Sequence, residues 1–290
     1  MTGIEELGSA IGSVAERVGP SVVGIGERWR GGCGVVIAQD RVVTNAHNVG
    51  DDGATVLIGG ATSEARLVGV DADGDVAVLE VPTGDAPALA LGSSADPSIG
   101  TPVISLGRAS DGGIRATLGF VSSTDRAFRG PRGRRVSGAI EHTAPAAPGS
   151  SGGPVVGLDG TLIGLNTNRL DNGFYLALPA GAGLAERLAA LGRGDSPKRR
   201  RLGVGLAPAH AARRMRRAVG LPERDGALVM SVEDGSPAAN AGIAQGDLIV
   251  GIGGHPVRDA DDLFEALAGE GALSVALVRG TDERTVEVAA

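Results

Sequence analysis

Residues 148–154 read Pro148-Gly149-Ser150-Ser151-Gly152-Gly153-Pro154. Glycines around a serine permit a tight backbone path and close approach by another chain. The segment is not a P-loop, because no Gly-Lys-Ser/Thr follows it. Outward from it the chain alternates short β-prone runs with Gly, Asp, Asn and Pro. The runs include Val22-Val23-Gly24-Ile25, Gly34-Val35-Val36-Ile37, Val76-Ala77-Val78-Leu79, Val103-Ile104-Ser105-Leu106 and Thr161-Leu162-Ile163-Gly164-Leu165. Short strands at regular intervals with turn residues between them suggest a β-barrel or sandwich from Ser21 to about Pro179. The composition agrees: 49 glycines among 290 residues supply the turns, and 2% aromatics leave the core to Val, Leu, Ile and Ala.

The flanks read differently. Ile4, Leu7, Ile11, Val14 and Val18 recur every three or four residues, predicting one apolar stripe on a helix that Gly19-Pro20 ends. Glu5, Glu6 and Glu16 on its polar face, without lysine, disfavour a membrane-surface helix. Leu184, Leu188 and Leu191 give a second stripe, stopping at Gly192. The polar run Gly194 to Arg201 reads as a linker. About ninety residues with their own strands and a helix from Asp261 to Ala268 follow. The boundaries expected are 1–192, a linker at 193–201, and 202–290.

A net charge of −7 argues against nucleic acid as the main partner. The single cysteine, Cys33, allows no intramolecular disulfide and reads as a small buried hydrophobe. The N-terminus lacks the basic and apolar regions of a signal peptide, and no run approaches the ~20 apolar residues of a membrane helix. The chain therefore reads as soluble and cytoplasmic.

Three elements carry chemistry. A nucleophilic serine needs an exposed hydroxyl beside backbone N–H donors, which residues 148–154 can supply; a plain Gly/Ser-rich loop looks the same. Val42-Val43-Thr44-Asn45-Ala46-His47 is an apolar strand ending in small residues and histidine, which a structural histidine also fits. Asp75 leads directly into Val76-Ala77-Val78-Leu79. A carboxylate there can hold an imidazole tautomer, or it can be a turn residue beside Asp71 and Asp73. The order His47, Asp75, Ser151 is the chymotrypsin-type order.

Thr44-Asn45-Ala46-His47, Asp75-Val76-Ala77-Val78-Leu79 and Gly149-Ser150-Ser151-Gly152-Gly153-Pro154 together resemble the motifs of the HtrA/Deg family of trypsin-like serine proteases. Ile163-Gly164-Leu165-Asn166-Thr167 and Ala177-Leu178-Pro179 resemble the strands flanking that family's specificity pocket. The similarity runs from about Ile4 to the C-terminus. It implies a mainly β fold, a chymotrypsin-like double β-barrel followed by a small α+β PDZ domain, with the triad between the barrels. It further implies His47 as general base, Asp75 as its orienting carboxylate, Ser151 as nucleophile, and the N–H groups of Gly149 and Ser151 as oxyanion donors. Ala146, Leu165, Asn166 and Thr167 would line the substrate pocket, with Arg169, Phe174 and Tyr175 nearby. No acidic residue sits at an obvious pocket base, so small or aliphatic residues are expected before the cut. No metal or cofactor is expected.

The sequence also departs from the family pattern. Ser150 stands where the family usually has Asn, Cys33 where it has another small residue, and His142-Thr143 where it often has Thr-Asp. His142 reads as a turn or surface residue.

Arg201-Leu202-Gly203-Val204-Gly205 resembles the PDZ carboxylate-binding loop. Gly235 to Gly242 and Gly246-Asp247-Leu248-Ile249 resemble the PDZ core pattern. The resemblance implies a C-terminal peptide added as a strand beside Val204, with its carboxylate on backbone N–H donors of the loop of Leu202, Gly203, Val204 and Gly205, and Leu263, Phe264 and Leu267 as the opposite wall. Lys198 to Arg201 with Arg213, Arg214, Arg216 and Arg217 form a basic cluster that reads as a solvated linker and helix face. No nucleic-acid motif accompanies it.

The function these features imply is endoproteolysis of unfolded or misfolded proteins, with the PDZ domain recognising C-termini. A peptide-binding chaperone-like or regulatory scaffold with minor proteolysis is the alternative. The family commonly forms trimers through aromatics near the N-terminus. No aromatic precedes Trp29 here, and a homotrimer stays an expectation. The family usually works in the cell envelope.

Overall fold

A computed structural model describes residues 3–26, 31–50, 52–91, 97–109, 112–130, 135–170, 172–197, 200–267 and 272–289. The chain divides into two compact units, Met1–Pro197 and Lys198–Ala290. The first begins with helix α1 (Gly3–Val18). Val14 and Val18 are buried, whereas Ile4 is 83% exposed, so only the C-terminal half of the predicted stripe is used for packing.

Six strands follow: β1 (Val22–Ile25), β2 (Gly32–Ala38), β3 (Arg41–Thr44), β4 (Gly53–Ile58), β5 (Ala61–Asp71) and β6 (Val76–Glu80). They close a barrel in the order β1-β2-β3-β6-β5-β4. Six more are β7 (Pro102–Arg108), β8 (Ile114–Arg129), β9 (Arg135–His142), β10 (Pro154–Val156), β11 (Leu162–Arg169) and β12 (Tyr175–Pro179). These close a second barrel, β10-β11-β12-β9-β8-β7. The short apolar runs left barrel or sandwich open; the double barrel that the resemblance implies is the fold observed.

The runs are continuous rather than alternating because many of these strands are buried on both faces. Adjacent residues belong to different cores. Val23, Val36 and Val42 pack with Val56 and Leu79 inside the first barrel. Val103, Val155 and Ile163 pack with Val121 and Ile140 inside the second. Their neighbours Val22, Val35, Val43, Ile104 and Val156 share a third core with α1 and with helix α2 (Ala182–Gly192). That third layer joins the two barrels and fixes how their ends meet.

Helix α2 contributes Leu184, Leu188 and Leu191, the stripe read from the sequence. Its last turn lies so close to β5 that a Cβ on Gly69 would sit 2.4 Å from the Leu191 carbonyl oxygen.

The second unit is a sheet in the order β13-β14-β15-β17-β18. The strands are β13 (Val204–Leu206), β14 (Ala227–Val232), β15 (Leu248–Ile252), β17 (Leu273–Arg279) and β18 (Asp282–Val288), and β16 (His255–Pro256) pairs with β15. Helices α3 (Ala209–Ala218), α4 (Pro237–Asn240) and α5 (Ala260–Ala266) complete it. Helix α5 starts where Asp259 accepts from the N–H groups of Asp261 and Asp262. Ala268, the helix end expected from the sequence, lies outside the described residues, as do Trp29, Lys198 and Arg199. The Gly246-Asp247 motif has a physical role: the fully buried Asp247 carboxylate takes two bonds from Arg279, at 2.7 and 2.8 Å, and one from the Ala244 N–H.

Gly69→Ala is expected to lift the end of α2 from β5 and to destabilise the first unit by about 1–3 kcal/mol, the usual range for overpacking. Urea unfolding followed by circular dichroism checks this.

Candidate active site

The antiparallel pairing of β3 with β6 builds the first half of the site. Thr44 lies opposite Ala77, so the residues just after β3 and just before β6 share one end of the barrel. His47 sits there on a single 3-10 turn, Ala46–Asn48. Asp75 sits across from it with φ of 55°, a left-handed conformation rare outside glycine. Asn45 holds that turn by donating its amide to the Asp75 carbonyl at 3.0 Å.

Asp75 is 1% exposed, and its carboxylate is fully engaged. Oδ1 accepts from the His47 backbone N–H at 3.2 Å and from His47 Nδ1 at 2.9 Å. Oδ2 lies 3.0 Å from the same Nδ1 and accepts from Thr167 Oγ1 at 2.6 Å. The imidazole therefore carries its proton on Nδ1, and its side chain, 26% exposed, is left with Nε2 as a base.

Ser151 comes from the other barrel, on the turn leading into β10. Its carbonyl accepts from the Cys33 N–H at 2.7 Å and from Asn48 Nδ2 at 2.9 Å, both first-barrel groups. Its hydroxyl donates to the Thr167 carbonyl at 2.9 Å. Gly152 is required next: with φ of 86°, a Cβ there would stand 2.1 Å from the Cys33 carbonyl. Ser150 donates its N–H to Ala147 O at 3.1 Å, and Gly153 donates to Ser150 O at 3.0 Å. Among the described residues no acceptor takes the N–H of Gly149 or of Ser151. These are the two donors expected to face an oxyanion.

The structure thus brings His47, Asp75, Ser151 and Gly149 to one place. The expected pocket residues are distributed differently. Leu165 is fully buried in the core between the barrels, and Asn166 and Thr167 are 3% and 4% exposed. Asn166 donates to Ser105 Oγ and Gly153 O, and Thr167 donates to Asp75. Their side chains are committed to the protein because β11 is covered on both faces. Ala146 does line an open pocket of about 240 Å³, with Ser105, Gly107, Thr117, Ala147 and Ser150.

His142 also corrects the sequence reading. It is fully buried at the end of β9, not on a turn or the surface. Its Nε2–H donates to Asn166 Oδ1 at 3.1 Å, its ring stacks on Tyr175 with centroids 5.8 Å apart, and Nδ1 has no partner. The Arg169 guanidinium lies 5.9 Å from the other ring of this stack, Tyr175. Asn166 in turn frames the serine turn, its backbone bonding both Gly152 and Gly153. Thr167 was expected as pocket wall and not as a partner of Asp75, and Asn48 and His142 were not read as site residues, since each acts across a long sequence separation.

In the second unit β13 ends the sheet, pairing among the described residues only with β14. Val204, Leu206 and Phe264 are partly buried against one core, in which Leu263 and Leu267 are buried. Leu263, 1% exposed, belongs to that core rather than to an open wall. The basic cluster is largely paired: Arg201 with Glu233, Arg213 with Asp225 and Arg217 with Glu223. Arg216 is buried, donating to Pro222 O. Among the described residues no helix is long and apolar enough to cross a membrane.

Two barrels with a histidine–carboxylate pair on one and a glycine-flanked serine on the other define the trypsin-like peptidase class. The model of the trypsin-like peptidase domain matches residues 32–165, and that of the PDZ domain matches residues 228–278. The chain is 34% identical to the mitochondrial serine protease HTRA2 of Bos taurus, over 96% of this chain and 66% of that protein. Among solved structures, the serine endoprotease from Yersinia pestis superposes with a TM-score of 0.64 at 26% identity, covering 96% of each chain. The HtrA-type protease AlgW with tripeptide gives 0.61 at 26% identity, again covering 96% of each. The chain belongs to the HtrA/Deg family of trypsin-like serine proteases with a PDZ domain. It spans between 60% and 66% of the length of the first curated relatives it matches.

Burial pushes the His142 imidazole down to about 4, only partly offset by its bond to Asn166. In the unfolded chain the same histidine titrates near its ordinary value of about 6.5. Between the two values the unfolded state binds more protons, so stability falls as pH drops from about 6.5 to about 4 and then levels off. The loss from this one group is about 3 kcal/mol. His142→Gln is expected to lack that component. Urea midpoints of both proteins at about pH 7 and about pH 4.5 check it: the stability gap between them should shift in favour of the variant at the lower pH.

Proposed function

We propose that the chain is a serine endopeptidase acting on unfolded or misfolded proteins, with Ser151 as nucleophile. The observation that carries this is the Asp75 carboxylate gripping His47 Nδ1 while the Ser151 turn from the other barrel is latched beside it. His47 Nε2 takes the Ser151 proton as Oγ attacks the scissile carbonyl. Asp75 keeps the imidazole in its productive tautomer and stabilises the imidazolium. The N–H groups of Gly149 and Ser151 stabilise the tetrahedral oxyanion, with roughly 3 kcal/mol at stake per donor. Expulsion of the amine leaves an acyl-enzyme that water hydrolyses by the same steps in reverse.

The Ser151 hydroxyl, which donates to Thr167 O here, exchanges that bond for one to His47 Nε2 in the reacting complex. Thr167 acts on the carboxylate, not on substrate: its hydroxyl fixes Asp75 Oδ2. The residue before the cut is small or aliphatic: Pro145, Ala146 and Ala147 line the pocket, and among the described residues its one charged lining residue is Arg115, with no carboxylate to pair a basic side chain.

At the second unit, the free edge of β13 accepts a peptide as an added strand, with the loop Leu202–Gly205 taking its terminal carboxylate and the α5 side closing the groove. The related AlgW structure with tripeptide supports peptide capture in this family. A homotrimer, the assembly common in the family, completes the proposal.

A fluorophosphonate probe should modify Ser151 alone, read by mass spectrometry of the digest; an unlabelled Ser151 in folded protein would count against the nucleophile. Thr167→Val, which removes one bond to a buried carboxylate, should lower kcat by roughly tenfold with KM little changed. A peptide with a free C-terminal carboxylate should bind the full chain roughly tenfold more tightly than its amide, measured by calorimetry.

A further inference from the structure

Cys33 is the one cysteine of the chain, and its place in the fold is not that of inert filler. It lies in β2, 1% exposed, facing the serine turn of the opposite barrel. Its Sγ is 3.2 Å from the Gly149 carbonyl oxygen and 3.2 Å from the backbone nitrogen of Arg108 at the end of β7. The Arg108 N–H can only donate, so sulfur accepts there; the Gly149 carbonyl can only accept, so the thiol donates there. Burial pushes the thiol pKa up, which keeps the proton on sulfur at neutral pH.

The peptide planes of the turn show why this bond matters. The plane joining Ser150 to Ser151 is held by Gly153 N–H on its carbonyl. The plane joining Ser151 to Gly152 is held by Cys33 N–H and Asn48 on its carbonyl and by Asn166 O on its N–H. The plane before them, Gly149 to Ser150, has Ala147 O on its N–H and the Cys33 thiol on its carbonyl. That plane lies directly between the N–H of Gly149 and the N–H of Ser151. Its orientation fixes ψ of Gly149 and φ of Ser150, two of the torsions that set the N–H of Gly149 relative to the N–H of Ser151.

We infer that Cys33 is a positioning residue for the oxyanion hole, its thiol donating to the Gly149 carbonyl so that the N–H groups of Gly149 and Ser151 converge on the tetrahedral intermediate. This rests on the proposed role of Ser151. The effect belongs to the transition state, because charge on the substrate oxygen appears only there. Loss of the bond therefore falls on kcat and leaves KM in place.

The test compares wild type, Cys33→Ala and Cys33→Ser on one peptide substrate, with urea midpoints measured on the same preparations. Cys33→Ala should lose roughly ten- to hundredfold in kcat at nearly unchanged KM, and its affinity for a peptide boronic acid should fall in parallel. Cys33→Ser, which restores a donor of the same shape, should recover most of both. Wild-type kcat in a folded Cys33→Ala, or equal losses in the two variants, would overturn the inference. If Cys33→Ala does not fold, the wild-type protein still decides. The infrared S–H stretch, a single band in this chain, should sit at the lowered frequency of a bonded donor and shift when the boronic acid adds to Ser151. A band at the free-thiol frequency would overturn the assignment. Retained activity in Ser151→Ala would instead reject the nucleophile, and the S–H band in the free protein reads the thiol bond independently of that result.

Discussion

A carboxylate buried to 1% exposure is the constraint around which the first unit is arranged. An ionised carboxylate in such a place is costly unless its lone pairs are met by donors. Asp75 meets this requirement from both barrels: the His47 backbone and ring from the β3 end, and the Thr167 hydroxyl from β11. Removal of the second barrel would leave Oδ2 short of its shortest bond. The charge that fixes the histidine tautomer is thus also a tie between the two barrels.

The two-faced strands make that tie precise enough for chemistry. Because β1, β2, β3, β7 and β10 bury side chains both in their own barrel and in the shared layer, the barrels cannot slide without disturbing close packing. The serine turn is held against the first barrel by polar bonds to Cys33 and Asn48. Packing sets the distance between barrels, and these bonds set the orientation of the groups that face substrate.

The sequence was legible where chemistry restricts residue type. His47, Asp75 and Ser151 each stand in a short segment whose neighbours are small because the backbone passes close to other groups, as Gly152 does to Cys33. The barrels were legible because closed sheets of short strands need frequent turns. What remained hidden lies in side-chain direction. Leu165, Asn166 and Thr167 sit on a strand buried on both faces, where period-two alternation no longer separates inside from outside. Reading them as pocket wall missed that Thr167 serves Asp75 and Asn166 serves the serine turn. His142 carried no local sign of burial, since its partners Asn166 and Tyr175 are more than twenty residues away. Cys33 was legible as small and buried, but its hydrogen bonds were not, because they cross to segments 75 and 116 residues distant.

The most direct measurement is degradation of unfolded casein by the wild-type chain beside Ser151→Ala from an identical preparation, with folding of both confirmed by circular dichroism. The account predicts cleavage by the wild type and its loss in the variant. Cleavage by Ser151→Ala at the wild-type rate would contradict it.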